Sequence, residues 1–356
     1  MATTKSRDGE LNTLRADQVG SLLPPSELVK ARVDFFAGRL DRHGLRAAED
    51  RAILSALRHQ RQCGLDVLTD GELRRASFTT EYGEADGFAE AAYQHARVVS
   101  GRLRPIGRIA DLEASFMGNH AGGSFKITLP SPVLLAEAAF RSHFGEVAYA
   151  SSTELIDDAA TILADEAAHL AADGVPYIQV DAPRYGRWAD PNLAASFQAT
   201  GIDRNELMRI AIAADNRVLE SARAGGAMTA VHCCSGSRLA ESAYDPVAEK
   251  LFTALGCDRL LLEYDSSRAG GFGLLRFVPS SKVVVLGLIT TKTAEMESRD
   301  QLMRRIDEAS RILPLEQLAI STRCGFASRR LGNPLTQDQQ WRKLELVASL
   351  AREVWP

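Results

Sequence analysis

Ala230-Val231-His232-Cys233-Cys234-Ser235-Gly236-Ser237 sets two soft metal ligands two residues apart at the end of an apolar run. Read as a β-strand over 228–234, the run sends alternate side chains to opposite faces, so His232 and Cys234 converge while Cys233 faces away. That pair is half of a tetrahedral zinc site, because imidazole with thiolates suits Zn²⁺ better than Mg²⁺ or Ca²⁺. The fold turns on whether the same unit, an apolar strand ending in chemistry, recurs along the chain.

It does, at intervals filled by helical patterns. The runs that read as strands are 14–19, 65–69, 125–130, 175–181, 228–234, 259–264, 283–288 and 318–324. Helical patterns cover 27–38, 45–63, 205–224 and 337–354, with Gly64 at the position glycine prefers just past a helix. Eight strands alternating with helices, without a compositional linker, predict an α/β fold of the (β/α)8 TIM-barrel type, whose catalytic groups sit where the strands end. A doubly wound open sheet is the competing architecture, and it usually carries a glycine-rich phosphate loop after its first strand. Val19-Gly20-Ser21-Leu22-Leu23 is no such loop, and the late turn Arg268-Ala269-Gly270-Gly271-Phe272-Gly273 lacks dinucleotide spacing.

The domain reading is a disordered polar lead over 1–12 and one catalytic barrel over 13–356, with an insertion after strand two at 76–121. The insertion carries Phe78, Tyr82, Phe88 and Tyr93 and a hairpin pattern around 98–109. A loop that long inside a compact domain is functional or has structure of its own, so it is expected to form a lid or side flap over the barrel mouth.

With 356 residues, 45% of them hydrophobic and 25% charged, the chain suffices for a sizeable core. A net charge of −4 gives no electrostatic reason for a nucleic acid or an anionic membrane as partner. No apolar run approaches the roughly 20 residues that span a bilayer, and the first ten residues lack the apolar core of a secretory signal. Five cysteines are too few and too odd in number for a disulfide framework, so a reducing cytoplasm is expected. The oligomeric state stays open, a homo-oligomer included.

The strand ends present Ser21, Asp70, Glu72, Asp181, His232, Cys234, Glu263 and Cys324. Glu263 and Cys324 are the partners that would complete the zinc site, although a lone Cys or His at a strand end is commonly only packing. Carboxylates at a barrel mouth can grip an amino group while a hydroxyl or a backbone N–H holds a carboxylate, and an amino acid needs both. The competing reading of Glu72 and Asp181 is a set of ion pairs with Arg74, Arg75 or Arg184. Arg74-Arg75 itself reads as a solvated face, with an anionic tail as the alternative ligand. Cys63, Cys233 and Cys257 are assigned to packing. Two thiolates and a carboxylate make zinc a poor acid for water but keep an added thiolate electron-rich, which favours alkylation at sulfur over hydrolysis.

These stretches resemble the cobalamin-independent methionine synthase family, and in particular short single-domain homologues of its C-terminal catalytic barrel. The likeness runs from Asp17-Gln18-Val19-Gly20-Ser21 through 65–72, 178–181, His232-Cys233-Cys234 and Leu262-Glu263-Tyr264 to Cys324-Gly325-Phe326. It implies Zn²⁺ on His232, Cys234, Glu263 and Cys324, the homocysteine amino group at Glu72 and Asp181, and its carboxylate at Ser21. The homocysteine sulfur would join or replace a metal ligand, Glu263 being the candidate. Three departures stand out. Asp181-Ala182-Pro183 replaces the family's Asp-Glu-Pro, Lys292 falls where the family places a catalytic histidine after strand seven, and the N-terminal barrel that helps hold a polyglutamyl folate has no counterpart here. Lys292 as an acid would need tuning from an unperturbed pKa near 10.4. The expected activity is therefore methyl transfer to homocysteine, from 5-methyltetrahydrofolate or from a corrinoid or other methyl carrier. A zinc thiol alkyltransferase that opens an epoxide with coenzyme M, and a non-enzymatic zinc-binding protein, are the alternatives.

Overall fold

The computed structural model describes residues 13–75, 85–90, 97–105, 107–134, 149–190, 203–234, 247–266, 270–327 and 332–356. Its strands are β1 (Ala85–Glu90), β2 (Arg97–Pro105), β3 (Lys126–Pro130), β4 (Tyr177–Asp181), β5 (Met228–Cys233), β6 (Arg259–Glu263), β7 (Val283–Ile289) and β8 (Leu318–Thr322). β1 and β2 form an antiparallel pair, and β3 to β8 form one parallel sheet in sequence order. Runs such as Tyr177–Asp181 and Arg259–Glu263 are buried along their whole length. That is the mark of parallel strands covered on both faces.

Two further extended segments join the last strand to the first. Around residue 16 the chain pairs in parallel with β8: Asp17 N–H donates to Ile320 O at 2.9 Å, and Ile320 N–H to Arg15 O at 2.9 Å. Around residue 68 it pairs with the start of β3, Leu68 N–H donating to Ser124 O and Lys126 N–H to Leu68 O, each at 3.0 Å. The two segments meet through Asp66 N–H donating to Ala16 O at 3.0 Å and Leu22 N–H donating to Gly71 O at 2.9 Å. Side chains supply further links: Gln18 Nε2 donates to Val67 O at 3.2 Å and Thr69 Oγ1 to Gly20 O at 2.8 Å. Side chains thus take over part of the ladder, so the runs expected at 14–19 and 65–69 form single bridges rather than full strands. The hydrogen bonds nonetheless close the ring expected of a (β/α)8 barrel.

The alternation of side chains sorts the core into two. Val67, Tyr177, Met228, Ala230, Leu261, Val285 and Ala319 cluster together inside the ring. Cys233, Val180, Leu260, Leu262 and Val284 join a larger cluster formed with the surrounding helices. Those helices, among them Arg42–Cys63, Ser152–Ala172, Arg204–Ala224 and Gln337–Val354, begin on side-chain caps at Asp41, Ser151, Asp203 and Thr336. Such caps satisfy the orphan N–H groups of the first turn. No helix among the described residues is long and apolar enough to cross a membrane.

The 76–121 excursion contains the β1–β2 hairpin and a helix over Asp111–His120. The hairpin begins earlier than the 98–109 pattern suggests. Its described side-chain contacts lie on the flank: Leu103 N–H donates to Tyr149 Oη at 2.6 Å, and Arg102 pairs with Glu154 at 3.1 Å and Asp158 at 3.5 Å. The polar lead over 1–12 and the side chains of Phe78, Tyr82, Phe88 and Tyr93 lie outside the described residues.

Candidate active site

The period of two along β5 puts His232 and Cys234 on the inner side of the ring, and β8 delivers Cys324 two residues beyond its end. One ligand atom from each of these three residues lies within 4.8 Å of the other two. His232 is 3% exposed, and neither of its ring nitrogens has a hydrogen-bond partner. Buried polar atoms normally find partners, so a bare imidazole facing two sulfurs is a donor set short of an acceptor. Donation from the Cys234 thiol pulls the Cys324 pKa well below the ordinary thiol value, with His232 adding to the effect against the cost of burial. Cys234, as that donor and by burial, is pushed well above it. Burial opposes charge on His232, but Cys324 outweighs it and the ring stands above its usual value. A cation among the three atoms would take the place of the shared proton, and two thiolates with an imidazole are the chemistry zinc prefers.

Glu263 stands beside this trio rather than within it. Its Oε1 accepts from Arg323 Nε at 2.8 Å, and Arg323 also reaches Asp265 at 3.5 Å. Sequence reasoning passed over Arg323, although it immediately precedes Cys324. Lys292, at the end of β7, is partly buried and close enough for its charge to help lower the Cys324 pKa.

The carboxylates collect next to this trio. Asp181 is paired in register with His232 on β5, and Gln179 Nε2 donates to Asp181 Oδ1 at 2.8 Å. Burial raises the Asp181 pKa, with the nearby His232 opposing. Glu72 adopts a left-handed backbone with φ 56°, a conformation that costs a non-glycine residue about 1–2 kcal/mol. Its own N–H donates to Asp70 Oδ1 at 2.9 Å, and its carboxylate accepts from Thr128 Oγ1 at 3.1 Å. Burial pushes Glu72 up to about 7, Arg75 opposing and Asp181 and Asp70 reinforcing the rise. Strain and a displaced pKa in one residue at a strand end are common at working sites.

Arg74 and Arg75 correct the expectation of a solvated face. Arg75 is 9% exposed and donates to Thr128 Oγ1 at 2.8 Å and Thr128 O at 3.0 Å, so its charge reaches Glu72 through the threonine hydroxyl. Arg74 pairs with Asp50 at 2.6 Å and Glu49 at 3.4 Å and lies over the Phe116 ring. The partners come from sequence-distant elements, which local charge patterning does not reveal.

Ser21 lies between Glu72 and the chain that follows Cys324. Phe326 N–H donates to Ser21 O at 2.8 Å and Ala327 N–H to Ser21 Oγ at 3.3 Å. A Cβ on Gly325 would lie 1.9 Å from Ser21 Oγ, so a larger residue after Cys324 would have to turn the Ser21 hydroxyl aside. Cys233 is fully buried in the outer core and Cys63 and Cys257 are also buried, as packing residues are. One more carboxylate stands behind the mouth: Asp215 accepts from Ser131 Oγ and Tyr185 Oη, both at 2.6 Å, and burial pushes it up to about 6.

Comparison with known proteins finds a match over residues 143–342 to the family described as cobalamin-independent synthase, catalytic domain. The uncharacterised protein YxjG of Bacillus subtilis is 35% identical, over 99% of this chain and 98% of its own. A solved chain from Listeria monocytogenes, provisionally named a vitamin-B12-independent methionine synthase, superposes with a TM-score of 0.77 at 28% identity, covering 96% of this chain and 98% of its own. The 5-methyltetrahydropteroyltriglutamate–homocysteine methyltransferase of Aeromonas salmonicida is 35% identical over 89 residues, 25% of this chain and 12% of that protein.

Proposed function

The chain belongs to the cobalamin-independent synthase catalytic-domain family, and from that premise we propose that it transfers a methyl group to the thiol of homocysteine to give methionine. It is a methyltransferase of the cobalamin-independent methionine synthase kind. The observation that supports the finer reading is the juxtaposition of an unpartnered buried imidazole and two cysteine sulfurs with a buried and a half-buried carboxylate at one barrel mouth.

Each residue has a part in this reading. His232, Cys234 and Cys324 would hold Zn²⁺, with Glu263 as an exchangeable fourth ligand. When bound, the metal would supply the positive charge that keeps a substrate thiol deprotonated at neutral pH. Glu72 and Asp181 receive the amino group: an ammonium between the half-buried Glu72 and the buried Asp181 replaces their mutual repulsion with charge-assisted hydrogen bonds. Ser21, between Glu72 and the chain that follows Cys324, would meet the substrate carboxylate. With both ends of the amino acid held, its sulfur is directed toward the three donors, and orientation of this kind removes much of the barrier to a two-body displacement.

In the transfer, the new S–CH3 bond forms as the bond from methyl to the donor breaks, and the electron pair leaves with the donor. With 5-methyltetrahydrofolate as donor the leaving group is a ring nitrogen that must gain a proton, and in this reading Lys292, three residues beyond β7, would deliver it. The two carboxylates favour an amino-acid thiol over an amine-free thiol such as coenzyme M, which has nothing to set between them.

Metal analysis of the purified chain, with zinc-edge X-ray absorption before and after homocysteine, tests the reading. One zinc per chain and one added sulfur scatterer are expected. An unchanged shell, or no zinc, would overturn it.

A further inference from the structure

Glu263 and Arg323 stand opposite one another across β7. In register, Glu263 on β6 is level with Gly287 on β7, which is level with Ser321 on β8. A Cβ on Gly287 would lie 2.9 Å from Arg323 Cα and 2.8 Å from Leu262 O, so the absent side chain is what lets the ends of β6 and β8 approach. Arg323 N–H donates to Ile289 O at 2.8 Å and fixes the backbone there. Its side chain is 13% exposed and forks onto two carboxylates that are each 5% exposed, Nε to Glu263 at 2.8 Å and Nη1 to Asp265 at 3.5 Å. The next residue is Cys324, one of the three clustered donors.

We infer that Arg323 is a positioning residue that holds Glu263 whenever Glu263 is not a metal ligand, and so makes the fourth ligand exchangeable; this rests on the function proposed above. Charge is the reason. A neutral imidazole, two thiolates and Zn²⁺ sum to zero, so either Glu263 or a substrate thiolate as fourth ligand brings the same single negative charge. When the thiolate arrives, the displaced carboxylate would be left buried and unpaired, which is strongly unfavourable. A planar guanidinium already 2.8 Å away, kept in place by Asp265, is a partner of matching charge and geometry. Without Arg323, the low-cost location for Glu263 is on the metal, in competition with substrate.

The Co²⁺-loaded protein tests this, because cobalt at a thiolate site reports its ligands in the visible spectrum. Homocysteine is titrated into wild type, Arg323→Met, Arg323→Lys and Glu263→Gln, and each is also competed against a chelator. Arg323→Met is expected to need about tenfold more homocysteine for half-maximal spectral change, and to hold cobalt more tightly against the chelator, in the range seen when an outer partner of a metal ligand is removed. Arg323→Lys keeps the charge without the fork and should fall between. If Arg323→Met does not yield folded protein, the lysine variant carries the same prediction at smaller amplitude. In the Glu263→Gln background the Arg323 substitution should change the titration by less than about twofold. Equal titrations and equal chelator competition in wild type and both Arg323 variants would overturn the role of Arg323 while leaving the methyltransferase reading intact. Wild type that binds no cobalt, or binds it without responding to homocysteine, would overturn that reading and this inference together.

Discussion

The two ends of the barrel interior treat charge in opposite ways. At the floor, Asp17, Lys126, Tyr177 and Arg259 are all buried to within 1% exposure and interlocked. Lys126 Nζ donates to Asp17 Oδ1 at 2.7 Å and to Gln18 O, Tyr177 Oη donates to Asp17 Oδ2 at 3.2 Å, and Arg259 donates to Leu14 O at 2.7 Å. Burial alone would raise the Asp17 pKa, but Lys126 and Arg259 reverse that and hold it below the ordinary carboxylate value. At the mouth, the His232 ring nitrogens and Asp70 Oδ2 have no partner, and Glu72 sits in a strained backbone with its pKa raised to about 7. A network in which each charge faces an opposite charge has little remaining capacity for a charged ligand. An unfinished one is less stable alone and becomes complete when something binds.

The sharpest way to break this contrast is at the floor. Lys126→Met deletes one partner of a fully buried pair and leaves Asp17 short of its closest cation. Unfolding in urea is expected to show a loss of about 3–5 kcal/mol, the usual cost of stranding a buried charge. A loss under 1 kcal/mol would mean that Arg259 and Tyr177 carry Asp17 unaided, and the floor would no longer differ from the mouth.

Asp215, in the wall behind the mouth, should show an intermediate effect that depends on pH. An unfolded aspartate ionises near 3.8 and this one near 6, so between those values the folded chain retains a proton that the unfolded chain has lost. Stability therefore falls as pH rises from about 4 to about 6 and is flat beyond, by about 3 kcal/mol at 1.36 kcal/mol per unit. Asn at this position cannot ionise. The stability of Asp215→Asn relative to wild type should therefore improve by up to about 3 kcal/mol between pH 4 and pH 7, read from urea unfolding at each pH. A pH-independent difference would show that Ser131 and Tyr185 keep the carboxylate charged without penalty.

The floor, the wall and the mouth were not equally legible in the sequence. Strands β3 to β8 announce themselves as apolar runs, because a parallel strand buried on both faces leaves no room for polar alternation. The placement of His232 and Cys234 together, with Cys233 in the outer core, follows from a period of two and needs no knowledge of the rest of the chain. Residues 14–19 and 65–69 were visible as strands, but not the use of Gln18 and Thr69 side chains in closing the ring. Arg75, Asp215 and Arg323 were illegible for a common reason. Each owes its role to partners 53, 84 and 60 residues away, and periodicity carries no information about such pairings.

The smallest expected stability effect falls on the residue most exposed to chemistry. Cys324 is partly exposed, and its neighbours Cys234 and His232 are held by β5, not by the thiol they face. Serine is close to its size and still offers an atom to accept from Cys234. In metal-free protein, Cys324→Ser should change the free energy of unfolding by less than about 1 kcal/mol, as substitutions away from the packed framework commonly do. The same substitution removes a soft donor from a set of three, so bound zinc should fall from one per chain to near zero when measured by elemental analysis after dialysis. Zinc added to wild type should raise its unfolding midpoint, because a ligand that binds only the folded chain stabilises it, and should leave the variant unmoved. A metal-free variant destabilised by more than about 2 kcal/mol would place Cys324 in the folding framework. The mouth would then be built on the same terms as the floor, and its unpaired atoms would need another explanation than a ligand.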